Sequence, residues 1–381
     1  LPGAARRPRI EAMTALVPRR AELDRQHRRA PRRAMRSLLW HWFGRWFRAP
    51  RRASFAPMPR VGAGQVSLTF GGHATALIRY AELSLVLDPM LGRWCGGVRR
   101  EVEPGLAPGD LDGVGVVLIT HGHRDHLHLP TLRRLPRGAT VVVPPGLARL
   151  VSSLGFARVI ELAPGGDLEV RGVTISAWAM THGDAPLARG NIYLLRGPGP
   201  SVVACGDGAW SPAFGEIGAR HEPDIALLPI GGYLPLSFRD RHMSPLDALY
   251  AFEDLRARLL VPLHHGAFAL SYERLDEPVR WLHELAEARG LEGNIRVLAP
   301  GESEVFVTPR QEAIRPSVVR IDTPAPAPAG GEATAADGDG TVKAPVNGDQ
   351  ARSVDILLDD RDDSAPVMLG APPMFGAAHA V

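Results

Sequence analysis

The chain has 381 residues, 45% of them apolar, and a formal charge of +3, a composition that suits a globular protein with one large core or two modest ones. Arginine, glycine or proline interrupts every apolar run before the roughly 18 to 20 residues that a membrane-spanning helix needs, and two cysteines without C-x-x-C spacing, Cys95 and Cys205, make neither a disulfide framework nor a thiolate zinc knuckle. The net charge hides an asymmetry: residues 1–60 hold sixteen arginines against three acids, net +13, leaving −10 for the remainder.

Residues 1–60 read as a basic N-terminal extension. The first 34 are rich in Arg, Ala and Pro and lack the apolar run of a secretory signal. Residues 35–52, MRSLLWHWFGRWFRAPRR, gather Leu38, Leu39, Trp42, Phe43 and Trp46 on one broad helical face, with Arg36, Arg45 and Arg48 beside it. Two readings stand: an interfacial helix resting on anionic lipid, or a brace packed on the body of the protein. The aromatic spacing builds no base-stacking platform, so no nucleic-acid partner is expected. The expected location is cytoplasmic, peripheral at the inner face of the membrane if the lipid reading holds.

From residue 61 to 309 strand-like and helical runs alternate. VSLTF (66–70), ALIRY (76–80), LSLVL (83–87), VGVVLIT (114–120), TVVVP (140–144) and VTISAWAM (173–180) are rich in β-branched and apolar residues and read as strands. PTLRRL (130–135), GLARLVSSLG (146–155), SPLDALYAFEDLRA (244–257) and PVRWLHELAEARG (278–290) read as amphipathic helices. Residues 310–381 form a low-complexity tail with too little apolar surface to offset chain entropy, and disorder is expected there.

The strongest chemical signal is HGHRDH at 121–126, directly after the strand VGVVLIT. Residues two apart at a strand end project to one side, so His121 and His123 converge, and Asp125 and His126 follow on the turn into the next helix. Imidazole and carboxylate in this density suit zinc and neighbouring divalent metals. A purely structural role would leave a cluster of ionisable groups at a buried strand end without a counter-ion.

H-x-H-x-D-H after such a strand resembles the hallmark of the metallo-β-lactamase superfamily. GGHATALIRYAELSLVLDPM (71–90) is similar to the opening of the branch that holds N-acylphosphatidylethanolamine phospholipase D and the ascorbate-6-phosphate lactonases. That resemblance covers about 240 residues and implies an α/β fold, the four-layer αβ/βα sandwich of two mixed β-sheets flanked by helices. It also implies two divalent ions, zinc by expectation, with a bridging hydroxide as nucleophile. One ion is expected on His121, His123 and His182, the other on Asp125, His126 and His264, with Asp207 between them. His264 is favoured over His265 in HHGAF by alignment of the Gly and Phe, which leaves His265 where the family has Trp and Ala267 where it has Thr. His128 stands where the branch commonly has an acid.

Asp125 and His242 are the expected catalytic residues, His242 as proton donor to the leaving group or as orienter of the substrate. His73, Tyr233 and His265 are expected at the substrate, His73 alternatively as a hydrogen-bond partner behind a ligand. Asp88 reads as a turn residue near the site. The expected activity is hydrolysis of a phosphodiester such as an N-acylphosphatidylethanolamine-like phospholipid; the alternatives are a sugar-phosphate lactonase and a non-catalytic scaffold on the same fold. Nothing in the sequence sets the oligomeric state.

Overall fold

The computed structural model describes residues 49–54, 57–183 and 185–307. The expected helix at 35–48 and the tail from 310 onward lie outside the described residues. Among the described residues, no helix is long and apolar enough to cross a membrane.

Two sheets carry the molecule. The first has seven strands, β15 (Ser303–Val307), β1 (Gln65–Gly72), β2 (Thr75–Arg79), β3 (Ser84–Leu87), β6 (Val116–Leu118), β7 (Thr140–Val143) and β8 (Arg158–Glu161), in that spatial order. The second has six, β14 (Leu259–Leu263), β13 (Ile225–Pro229), β12 (Val202–Ala204), β11 (Gly190–Arg196), β10 (Val173–Met180) and β9 (Asp167–Val170). A hairpin of β4 (Trp94–Cys95) and β5 (Val98–Arg99) stands apart. Both sheets are mixed: β3, β6, β7 and β8 run parallel, as do β12, β13 and β14, and the remaining pairs are antiparallel.

Period-two patterning explains the layering. Leu85, Leu87, Val116 and Leu118 of the first sheet share one buried cluster with Val202, Ala204, Ile225 and Leu227 of the second, so these alternate residues fill the space between the sheets. Their neighbours Val86, Val117 and Val141 point the other way, against Leu132 of α1 (Leu129–Leu132) and Val151 of α2 (Ala148–Val151). On the far side of the second sheet, Val203, Ala226 and Leu228 pack under α3 (Ala213–His221), α4 (Pro245–Asp254) and α5 (Glu277–Arg289). The result is the four-layer αβ/βα sandwich expected above. Helix α4 starts with Ser244 accepting from Asp247 N while the Asp247 carboxylate accepts from Ser244 N at 3.0 Å, with Pro245 at its first position, a complete capping box.

Three differences from the sequence reading have physical reasons. The helix expected at 130–135 is a single turn, Leu129–Leu132, because Pro136 follows closely and denies it a second turn. Residues 225–229, not among the strands expected above, form the inner strand β13, next to the edge strand β14 and buried along its whole length; strands covered on both faces read as continuous apolar runs without alternation. Finally, residues 49–54, placed in the N-terminal extension, already belong to the body: Arg51 pairs with Val102 in a β-bridge, and Ser54 N donates to Pro300 O at 3.1 Å.

Gly218 is buried in α3 where a Cβ would overlap the carbonyl oxygen of Asp254 at the end of α4. Gly218→Ala is expected to destabilise the protein by about 1–3 kcal/mol through overpacking, seen as a lower urea midpoint at unchanged slope. An unchanged midpoint would show that the two helices part without cost.

Candidate metal centre

Strand direction brings the site together. β10 is antiparallel to β11, which is antiparallel to β12, and β12 to β14 are parallel, so β10, β12 and β14 all finish at one edge. His182, Asp207 and His264 lie just past those three ends. In the other sheet, β3 and β6 run parallel and deliver Asp88 and the 121–126 segment. Groups grafted on loops at the carboxyl ends of strands can be precise because the strands beneath them are rigid.

The seven residues expected as ligands fall into overlapping groups whose candidate ligand atoms lie within 4.8 Å of one another. His121, His123 and His182 form one; Asp125, His126 and His264 form another, joined by His73. Asp207 groups with His121 and His126, and again with His182 and His242. Its Oδ2 is 3.7 Å from His182 Nε2, 3.4 Å from His264 Nε2 and 4.0 Å from His126 Nε2, so one carboxylate faces both sets. The buried Nε2 atoms of His121, His126 and His264, and Oδ1 of Asp207, have no hydrogen-bond partner. Buried polar atoms left unpaired cost about 1–3 kcal/mol each, and these four belong to one cluster. Imidazole nitrogens and carboxylate oxygens orphaned together fit divalent cations.

A shell of hydrogen bonds turns the ligand atoms inward. Asp88, 0% exposed, accepts from Thr120 N at 2.7 Å and Thr120 Oγ1 at 2.6 Å, and holds His126 Nδ1 at 2.7 Å. Since Thr120 spends its proton on Asp88, its oxygen accepts from His121 Nδ1 at 3.1 Å. His182 Nδ1 donates to Arg241 O at 2.8 Å. Each of these bonds turns Nε2 toward the cluster, that of His182 to within 3.0 Å of His123 Nδ1. Asp88 is therefore more than the turn residue expected; aspartate before proline at a strand end gives no local sign of the histidine 38 residues later that it holds. His128, which replaces a common acid, caps α1 instead: its Nδ1 accepts from Thr131 N at 3.3 Å and Thr131 Oγ1 at 2.7 Å.

Three site residues, His73, Asp88 and His264, have positive φ of 61°, 39° and 57°. Non-glycine residues there cost on the order of 1 kcal/mol or more, strain that the surrounding sheets sustain. His73 O accepts from His264 N at 2.8 Å, and His73 Nε2 lies 2.9 Å from Asp125 Oδ2. His73 thus holds Asp125, and it also lines a shallow cleft beside the cluster.

Electrostatics separate the group. Burial drives His121 well below the usual imidazole value, His73 down to about 3 and His182 to about 4, so all three are neutral, as ligation requires. Burial also opposes ionisation of Asp125 and Asp207, but neighbouring imidazoles outweigh it, His126 first for Asp125 and His242 first for Asp207, and hold both well below the usual carboxylate range. Burial lowers His126 and His242 too, yet Asp125 and Asp88 raise the first and Asp207 the second above the ordinary value.

Of the residues expected at the substrate, Tyr233 lies away from the cleft and His265 lines it. Tyr233 is 0% exposed; its ring packs 5.5 Å from Trp281 and its hydroxyl donates to Glu277 Oε1 at 3.1 Å, so it braces the pocket wall from behind. The segment Ile230-Gly231-Gly232-Tyr233 does reach the site, but through its glycines. His265 belongs to no ligand group; it stacks on Phe70 at 5.2 Å, and burial lowers it to about 4. It lines the shallow cleft beside the cluster, together with His73, His264, Phe268, Leu270 and Arg274.

Asp88→Asn keeps the side-chain volume but puts an amide donor where an oxygen accepts. Affinity for divalent metal is expected to fall about 10- to 100-fold with the fold retained, as read by competition with a chelating dye and by circular dichroism. Wild-type affinity would return Asp88 to a turn.

Residues 84–265 match the model of the beta-lactamase superfamily domain. An uncharacterized protein of Mycobacterium tuberculosis is 30% identical over 294 residues, covering 71% of this chain and 78% of its own. A UPF0173 metal-dependent hydrolase of Methanopyrus kandleri is 30% identical over 244 residues, 62% of this chain and 98% of the relative. Among solved structures, a possible metal-dependent hydrolase from Veillonella parvula superposes with a TM-score of 0.55 at 20% identity, covering 64% of this chain and 99% of that one. Isothiocyanate hydrolase from Delia radicum gut bacteria gives 0.54 at 22% identity, over 63% and 99%. At such identities the structures speak for the fold alone. The relatives at 30% identity carry more, and by them the chain belongs to the metallo-β-lactamase superfamily, as a metal-dependent hydrolase akin to the UPF0173 proteins.

Proposed function

We propose that this hydrolase cleaves a phosphodiester that carries an apolar substituent, an N-acylphosphatidylethanolamine-like phospholipid being the model, with two zinc ions. The observation that carries the reading is Asp207 Oδ2, which faces His182 of one ligand set and His264 of the other at 3.7 and 3.4 Å. His121, His123 and His182 would hold one ion, Asp125, His126 and His264 the second, and Asp207 would touch both. Such a pair supplies Lewis acidity toward a phosphoryl oxygen and an acidified water, so no protein nucleophile is required.

The chain's own residues supply the rest. His242 Nδ1 donates to Phe238 O at 3.0 Å, which aims Nε2 at Asp207 Oδ2, 3.2 Å away. The Asp207 carboxylate raises His242 above the ordinary imidazole value, and Nε2 is placed to give a proton to a leaving oxygen. Asp125, ionised and fixed by His73, keeps its charge beside the reacting group. The adjoining cavity offers an apolar wall of Phe268, Leu270 and Leu275, and Arg274 at its lining is paired with Asp276 at 3.0 Å. The opening GGHAT with DP at 88–89 supports the phospholipase branch by resemblance.

Elemental analysis of protein purified without chelator, with hydrolysis assays on a phosphodiester and on a lactone, tests this reading. Two metals per chain and diester cleavage are expected; lactone cleavage alone would move the protein to the lactonase branch. In the same assay His121→Ala should lose metal and turnover together. His242→Ala should keep both metals and lower kcat by about 10²-fold or more; unaltered turnover would remove its proton-donor role.

The Trp/Arg segment 35–52 is proposed to bring the body to anionic lipid. Deletion of residues 1–48, which spares the pairing of Arg51 with Glu101 and Glu103, should reduce cosedimentation with phosphatidylserine vesicles in a salt-dependent way. Equal binding by the truncated protein would sink the proposal.

A further inference from the structure

The loop that closes β13 passes between two rings of the site. Gly232, at φ 85°, lies so close that a Cβ there would sit 3.2 Å from His242 Cδ2 and 3.5 Å from His264 Cε1. A Cβ on Gly231 would meet His264 O. The backbone of this loop is therefore the surface against which the proton donor and one ligand rest, and its placement decides theirs.

What fixes that backbone is a carboxylate 41 residues downstream. Gly232 N donates to Glu273 Oε1 at 2.5 Å, and Leu234 N donates to Glu273 Oε2 at 3.2 Å. Glu273 is only 9% exposed, and charge-assisted bonds from backbone N–H groups are roughly twice as strong as neutral ones. A second carboxylate repeats the pattern one turn on: Glu277 accepts from Tyr233 Oη at 3.1 Å and from Arg274 N at 3.4 Å. The loop at 231–234 and the segment at 271–277, the two walls of the cavity, are thus tied together by two acids. Glycine makes the close approach possible, and the acid makes it permanent.

We infer that Glu273 is a positioning residue: its carboxylate clamps Gly232 and Leu234, and through Gly232 it holds His242 at Asp207. It acts on the reaction through His242, so the inference rests on the reading of His242 as proton donor. Glutamine in its place keeps one oxygen for Gly232 but turns an amide donor toward Leu234 N, which breaks the longer bond only.

The test compares metal-loaded full-length protein with Glu273→Ala and Glu273→Gln. Amide hydrogen exchange should accelerate at both Gly232 and Leu234 in the alanine variant, and at Leu234 alone in the glutamine variant. The ring resonances of His242 should shift in the alanine variant and return toward wild type with glutamine. With bis(p-nitrophenyl) phosphate as substrate, Glu273→Ala should lower kcat about 10- to 100-fold with both metals retained and KM changed less; Glu273→Gln should recover most of the loss. Wild-type exchange and His242 resonances in the alanine variant would overturn the inference, as would a loss of kcat that only tracks lost metal. If wild-type protein leaves the diester intact, the substrate reading fails, and the exchange and resonance measurements still decide the clamp.

Discussion

Placing two ionised carboxylates and a crowd of imidazoles in one buried volume is the constraint on which the structure turns. Asp125 and Asp207 both stay ionised, while His121, His126 and His264 each keep an inward Nε2 without a hydrogen bond. Water cannot relieve such a cluster when the atoms are sealed from it, and the opposite nitrogens of His121 and His126 are already committed to Thr120 and Asp88. A divalent cation relieves it at once, because the same lone pairs that are unpaired without it become its ligands. The free energy of cation binding at such a centre adds to that of folding.

The sheets make that concentration possible by topology rather than by local preference. Five strands from two sheets end at one edge, and the residues just beyond them are the ones that meet. The cost appears in the backbone, where His73, Asp88 and His264 hold left-handed angles that ordinary side chains avoid. Those three residues are linked: Asp88 orients His126, His73 orients Asp125, and His73 O holds the amide of His264. Each strained residue thus supports a ligand of the same set, or is one.

How much of this was legible in the sequence depends on whether the signal is local. The strands with β-branched runs, the capped helix opening at Ser244, and HGHRDH after its strand each carry their meaning within a few residues, and the resemblance supplied the remaining ligands in order. Asp88, Glu273 and His128 carried none, because their roles lie in partners distant in sequence or in a cap whose acceptor is an imidazole. Tyr233 misled for the opposite reason: it sits in a motif that does border the site, but strand β13 and the glycine turn send its ring backward toward Trp281. A motif locates a stretch of backbone; which side of it faces the chemistry is a matter of packing.

The departures in HHGAF show the same distinction at the last ligand. His265 replaces a Trp of the family pattern, stacks on Phe70 and bridges to His73 through the backbone, while Ala267 replaces a Thr, is buried beside Met90 and Phe268, and gives its carbonyl to Glu101 N. Neither change takes an atom from the ligand groups. Both lie where the segment after His264 turns to form one wall of the cavity, the wall that Glu273 ties to the glycine loop. Because the candidate ligands sit at strand ends and this wall sits on a loop held by side chains, a change in the packing behind residues 265–277 reshapes the wall without moving the cluster.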